Sequence, residues 1–451
     1  MLKKFITALL QLTCVTTFAQ SDDMSCFYLP PQPSWENQFQ KLIEEYVSKN
    51  NSIRTGNVTI VPIVFHVIHG GEQIGIYPNI QAGQIQAQIA VLNEDFSANA
   101  YNAADYPINA FVNWASDQSL PLINLDTLGR VKIADFEIQF CPARIDTSGN
   151  LMSEPGIDRI NYQDKGWPTP STFTTQSSMK AYLDSIVKPQ SIWDVTKYLN
   201  VWITDKSNQL TYGGVSSVPP LSGLPDILNG ATATTDGIWC FTKVIGSNTL
   251  FPQGDYVSPF IDGRTLTHEA GHYFGLRHIW GDNNCGNDFC NDTPPAASEN
   301  TGNPNYPVNP GSCQNPSNLP DGEMFMNYMD YTIGPAKYMF TTDQKIRART
   351  ALLNSPFRNQ LGSHGICENN MSLNPVVDDQ DFMVYPNPAY DKISIRGRNI
   401  KNNKIKIYNI QGVLMRESNS TELMIGDLSS GIYILFAESS SRTIYRRFLK
   451  V

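Results

Sequence analysis

The 451-residue sequence is short of charge, of basic residues and of long apolar runs. Charged residues make up 17% of it, and acidic side chains outnumber basic ones to give a formal net charge of -9. That balance argues against a nucleic-acid partner, because phosphate binding needs Lys and Arg concentrated on a surface. Mean hydropathy is -0.28, which excludes a multi-span membrane protein. Eight cysteines in 451 residues are too few for a small disulfide scaffold, yet enough for several bridges in an oxidising compartment. There is no internal repeat and no low-complexity tract.

What is present is an ordinary globular composition with 41% hydrophobic residues, over a length about three times the ~150 residues of one typical domain. The N-terminus gives the compartment. Lys3 and Lys4 precede an apolar stretch from Phe5 to Phe18, and Thr17-Phe18-Ala19 has the small-residue character of a cleavage site. Residues 1–19 are therefore expected to be a secretory signal, and the mature chain is expected to have no transmembrane segment. Cleavage removes Cys14 and leaves an odd number of cysteines.

Residues 20–56 are polar apart from one amphipathic helix candidate, Trp35 to Ser48, and cannot form a core alone. At Val58 the texture changes to a β-rich run in which Val61, Ile63, Phe65 and Val67 share one face. A helix is expected from Gln81 to Leu92, with strands at Ala134–Phe140 and Tyr198–Thr204. These interspersed elements predict an α+β domain over residues 57–361, followed by a linker at 362–380. Residues 381–451 alternate short apolar runs with turns and carry +5, the opposite sign to the rest, which predicts a small all-β module.

Histidine is scarce too, with six in the chain, yet His268, His272 and His278 fall within eleven residues. Positions i and i+4 on a helix share a face, so His268 and His272 can bind one ion while Glu269 addresses a water beside it. A third ligand beyond Gly275 requires the chain to turn back, and glycine readily adopts the positive φ of such a turn. Three histidines leave one zinc position open, as a catalytic site needs. Glu269 is then the candidate general base and acid.

His268 to His278 resembles the extended zinc signature of the metzincin metalloproteases, and Met326-Asn327-Tyr328-Met329-Asp330-Tyr331 resembles their Met-turn. Gly263-Arg264-Thr265-Leu266-Thr267, Asn291-Asp292-Thr293-Pro294 and Phe340-Thr341-Thr342-Asp343-Gln344 narrow the similarity to the pappalysin family. The resemblance implies a twisted mixed sheet with a zinc-binding active-site helix, and hydrolysis of protein or peptide substrates. It also implies that Met329 forms an apolar floor below the zinc, that Tyr331 stabilises the oxyanion, and that Tyr198–Thr204 is the edge strand that pairs with substrate. Some pappalysins prefer basic residues through an acidic group just past the Met-turn; Ala336 and Lys337 stand there, so that preference is not implied. A catalytically silent surface binding protein with the same fold is the alternative.

The loop from Gly281 to Thr293 is dense in carboxylate and amide oxygens, which suits calcium. The resemblance implicates Asp288, Asp292 and Thr293 as structural calcium ligands, with Asp282 as a further candidate, and pairs Cys290 with Cys313. Removal of a prosegment at 20–56 would take Cys26 away and leave six cysteines. Cys26 is a candidate latency ligand, since thiolate binds zinc well. A carboxylate switch by Asp22 or Asp23 and a Cys26–Cys367 disulfide are the competing possibilities. Tyr385-Pro386-Asn387-Pro388, Ile405 to Gly412 and Leu428 to Tyr433 resemble the C-terminal sorting domain of the type IX secretion system, which implies that machinery as a partner and a secreted or outer-surface location.

Overall fold

The computed structural model describes residues 25–26, 31, 33–49, 58–100, 106–220, 231–367, 383–387, 389–396, 404–409, 413–438 and 443–450. The expected signal at 1–19, Asp22, Asp23 and most of the expected linker lie outside the described residues.

The first sheet contains β1 (Ser25–Cys26), β2 (Thr59–His69), β3 (Ile138–Pro142), β4 (Ile157–Asn161), β5 (Leu199–Thr204), β6 (Tyr212–Ser216) and β7 (Ile238–Phe241). Its order is β1-β6-β7-β5-β2-β3, with β4 also paired to β2. The pairs are parallel except β6 against β7, so the sheet is mixed, as expected.

β2 is a near-continuous Val/Ile run because both faces of this sheet are covered. Val61, Ile63, Phe65 and Val67 do share one face, packed with Ile85, Ile89 and Leu92 of α2 (Ala82–Phe96). The other face carries Ile68, Trp202 and Trp239, which pack with Met179 and Tyr182. The remaining helices are α1 (Pro33–Lys49), α3 (Val112–Asp117), α4 (Gln176–Tyr182), α5 (Lys188–Ser191), α6 (Arg264–Tyr273) and α7 (Thr342–Asn354).

One expectation is overturned here. Tyr198–Thr204 was expected at the edge, but β5 lies between β7 and β2 and is buried at all six positions. The strand that borders the cleft is β6, whose Tyr-Gly-Gly-Val-Ser sequence has too little apolar alternation to announce itself. β1 occupies its outer side and runs parallel to it.

The C-terminal strands are β8 (Met383–Tyr385), β9 (Lys392–Arg396), β10 (Lys404–Asn409), β11 (Leu414–Ser418), β12 (Glu422–Met424), β13 (Gly431–Glu438) and β14 (Thr443–Lys450). They form one sheet ordered β11-β10-β13-β14 and another ordered β12-β9-β8, around a separate core of Ile393, Ile405, Ile407, Leu423, Leu435 and Phe448. This is the expected all-β module.

Candidate metal centre

Helix α6 presents His268, Glu269 and His272, all buried. Its start is fixed by α2: Asp95 accepts from Thr267 Oγ1 at 2.6 Å, from Arg264 Nη2 at 3.2 Å and from Tyr328 Oη at 2.7 Å. One buried carboxylate therefore ties the metal-binding helix to the Met-turn. Asp95 was not singled out from sequence, because an acidic residue near a helix end is ordinarily a solvated one.

After Tyr273 the chain reverses at Gly275, whose φ is +87°, as expected of the hinge. A Cβ there would approach Ala351 Cβ at 3.1 Å and Pro219 Cγ at 3.3 Å, so the turn is tight as well as left-handed. The reversal brings His278 Nε2 to 3.1 Å from His272 Nε2.

Three acceptors set the imidazole tautomers. His268 Nδ1 donates to Tyr328 O at 2.7 Å, His272 Nδ1 to Leu276 O at 2.9 Å, and His278 Nδ1 to Asp282 Oδ1 at 2.5 Å. The two carbonyls can only accept, so each Nδ1 there is protonated and each Nε2 offers a lone pair. Burial lowers the pKa of all three rings and favours that neutral form. His268 Nε2 is buried with no hydrogen-bond partner. Lone pairs converging at 3.1 Å repel unless a cation lies between them, so this donor set fits a tetrahedral zinc site.

Cys26 joins the group: its Sγ and one nitrogen from each of the three histidines lie within 4.8 Å of one another. The expected Cys26–Cys367 alternative is excluded, because Cys367 is bonded to Cys141. Glu269 packs so closely on β6 that a Cβ at Gly214 would lie 2.5 Å from its Cγ. Burial pushes the Glu269 carboxyl up to about 8, with the Cys26 thiol and the Lys337 ammonium opposing that rise.

Met329 is fully buried under α6, where a Cβ on Gly271 would lie 2.3 Å from its sulfur. The Tyr331 ring is 5.0 Å from that of His278, and its hydroxyl donates to Cys26 O at 3.3 Å. Trp280, which sequence reading passed over, stacks on His278 at 4.3 Å with an interplanar angle of 4°. A small cleft opens beside Glu269 and His268, lined also by Cys26, Tyr331 and Lys337.

The loop after His278 differs from expectation in two ways. Cys313 pairs with Cys285, and Cys290 is a buried free thiol. The expected Cys290–Cys313 bridge is therefore incorrect; Cys290 instead packs beside Asp288, whose Oδ1 accepts from its backbone N–H at 3.1 Å. Asp282 Oδ1 accepts from His278 Nδ1, while its Oδ2 is buried with no hydrogen-bond partner. Asp288 accepts from Thr293 Oγ1 at 2.7 Å, and Asp292 accepts from Thr341 Oγ1 at 2.6 Å, Asp343 N at 2.9 Å and Asn124 Nδ2 at 3.1 Å.

Comparison with known proteins agrees with this geometry. Residues 181–353 match the peptidase M43 family model, described as Pregnancy-associated plasma protein-A. Residues 383–451 match the model of the secretion system C-terminal sorting domain. An extracellular metalloprotease of Pyricularia oryzae is 35% identical over 133 residues, 28% of this chain and 44% of the relative. Another, from Colletotrichum graminicola, is 41% identical over 86 residues, 19% of this chain and 29% of the relative. The chain thus spans less than half the length of these curated relatives.

Among solved structures, mirolysin in complex with a compound is 29% identical, covering 69% of this chain and all of its own, with a TM-score of 0.52. A promirolysin mutant of Tannerella forsythia is 26% identical, covering 75% of this chain and 97% of its own, also at 0.52. Residues 181–353 are thus similar to the pappalysin family of metalloproteases, and residues 383–451 to a secretion-system sorting domain.

Proposed function

We propose that the chain is a secreted zinc endopeptidase made as a latent precursor. The observation that carries this reading is the convergence of one ring nitrogen from each of the three histidines, within 4.8 Å of one another, next in sequence to the buried Glu269 carboxylate. A bound zinc ion would supply Lewis acidity toward a scissile carbonyl and lower the pKa of an adjacent water. Glu269, fixed against Gly214, takes the proton of that water and returns it to the leaving amine. Tyr331, which donates to a backbone carbonyl lying in the cleft, makes the same bond to the oxyanion of a substrate. Substrate adds as a strand on β6 once β1 has left.

Latency follows from Cys26. Its sulfur lies among the zinc ligands while its strand covers β6, so one segment closes both the open ligand position and the substrate edge. A prosegment at residues 20–56 is supported by the larger share of this chain matched by promirolysin, 75%, than by mature mirolysin, 68%. The expected signal at residues 1–19 and the sorting domain support export by the type IX machinery to the outside of the cell.

Structural calcium is the second part of the reading, with a revised ligand set. Asp292 and Asp343 are buried together, and burial raises both carboxyls, Asp292 further through repulsion from Asp343. Asn124 turns its Nδ2 toward both carboxylates, and its Oδ1 is buried with no hydrogen-bond partner. Carboxylate and amide oxygens of this kind suit a hard cation.

The test is to incubate prosegment-free protein with denatured protein and identify new termini by mass spectrometry. Peptides that appear with zinc and vanish with a chelator are expected; none with stoichiometric zinc would refute the reading. The same termini report which side chains the cleft beside Glu269 accepts.

A further inference from the structure

Glu36 of α1 is fully buried, which for an unpaired carboxylate would be prohibitive. Two arginines hold it. Arg277 Nε lies 3.0 Å from Oε2, and Arg347 Nη2 makes a close ion pair with Oε1. Both arginines are themselves buried, and both are braced. Arg277 Nη2 donates to Pro31 O at 2.9 Å, and Arg347 Nε donates to Gly275 O at 2.7 Å. The Arg347 guanidinium also sits 4.6 Å over Phe39, and Arg277 lies 5.1 Å over Phe289.

We infer that Arg277 and Arg347 form a carboxylate-binding site, filled in the precursor by Glu36, that anchors α1 independently of Cys26. The site faces the turn that delivers His278: Arg277 precedes that ligand in sequence, and Arg347 holds the carbonyl of the hinge Gly275. Asp288 lies near enough to Arg347 to be stabilised by it, yet is occupied by Thr293 Oγ1 and Cys290 N. Glu36 is therefore the carboxylate paired with both guanidinium groups. Loss of α1 removes the carboxylate paired with both guanidinium groups and uncovers Arg347 from Phe39, so the vacated site can take water or a small carboxylate in its place. That α1 is part of a removable prosegment rests on the proposed function; the site itself does not.

The test uses full-length protein, with hydrogen exchange of α1 amides and thermal melting as readouts, neither of which depends on proteolysis. In Glu36→Ala and in the volume-conserving Glu36→Gln, α1 amides are expected to exchange on the order of 100-fold faster, because a buried charge pair has lost one member. Cys26→Ala is expected to leave α1 protection unchanged. Sodium formate, compared with sodium chloride at equal ionic strength, is expected to raise the melting temperature of Glu36→Ala and not of the unaltered protein. Equal effects of formate and chloride on Glu36→Ala, or wild-type protection of α1 in Glu36→Gln, would overturn the site. The Gln variant decides the matter even where the Ala variant does not fold.

Discussion

Asp282 Oδ1 accepts the Nδ1 proton of His278 at 2.5 Å, which makes it the orienting partner of the proposed third metal ligand. Removing such a partner leaves the ligand in place but frees its ring and lowers its basicity. Asp282→Asn is expected to weaken zinc binding by roughly 10- to 100-fold, measured by competition with a chromogenic chelator. Unchanged affinity would mean that Trp280 stacking and the Gly275 turn orient His278 unaided.

Cys26 shares the histidine cluster and its strand pairs with β6. In the full-length precursor, Cys26→Ala is expected to raise peptide-hydrolysing activity well above that of the unaltered precursor, since one of the two obstructions is then gone. A variant as latent as the wild type would assign latency to other parts of the segment, of which Asp22 and Asp23 are the sequence candidates.

The Cys285–Cys313 bridge closes a loop spanning 28 residues, for which a disulfide typically contributes about 2–4 kcal/mol. Cys313→Ser is expected to lower the denaturation midpoint substantially. Cys290→Ser, which breaks no bond, should lower it less. Peptide mapping without reduction gives the direct readout: a linked Cys285–Cys313 peptide is expected, and a Cys290–Cys313 peptide would restore the pairing that family resemblance implied.

Asn124 Nδ2 donates to both Asp292 Oδ2 and Asp343 Oδ1, which brings the two carboxylates together in the interior. A calcium-selective chelator is expected to lower the melting temperature of the unaltered protein and to have little further effect on Asp343→Asn. Equal melting with and without the chelator would identify these carboxylates as a hydrogen-bonded cluster alone.

The histidine-bearing helix, its glycine turn and the Met329 segment were legible in the sequence because their spacing is local. His268, His272 and Gly275 sit at fixed helical spacings, and the fold only has to honour them. The interior of the sheet was legible for a similar reason, since β2 is apolar at nearly every position. What stayed hidden depends on contacts between distant segments. Gly214 of β6 leaves the room that Glu269 fills, and no strand pattern records that. Asp95 and Glu36 look like surface acids, and Asp282 like a loop ligand, until the structure pairs them with Arg264, two arginines and His278. The disulfide partner of Cys313 was misassigned because Cys285 and Cys290 are both within reach in sequence; only the path of the loop separates them.

The central claim is that Glu269 performs the proton transfers of peptide-bond hydrolysis at a zinc centre built by His268, His272 and His278. The most direct measurement compares prosegment-free protein with its Glu269→Ala variant, at equal zinc content, on a denatured protein substrate. The account predicts that the variant keeps one zinc per chain and loses activity by at least about 10²- to 10⁴-fold, the usual contribution of a positioned general base. Hydrolysis at the wild-type rate by a zinc-loaded Glu269→Ala variant would contradict it.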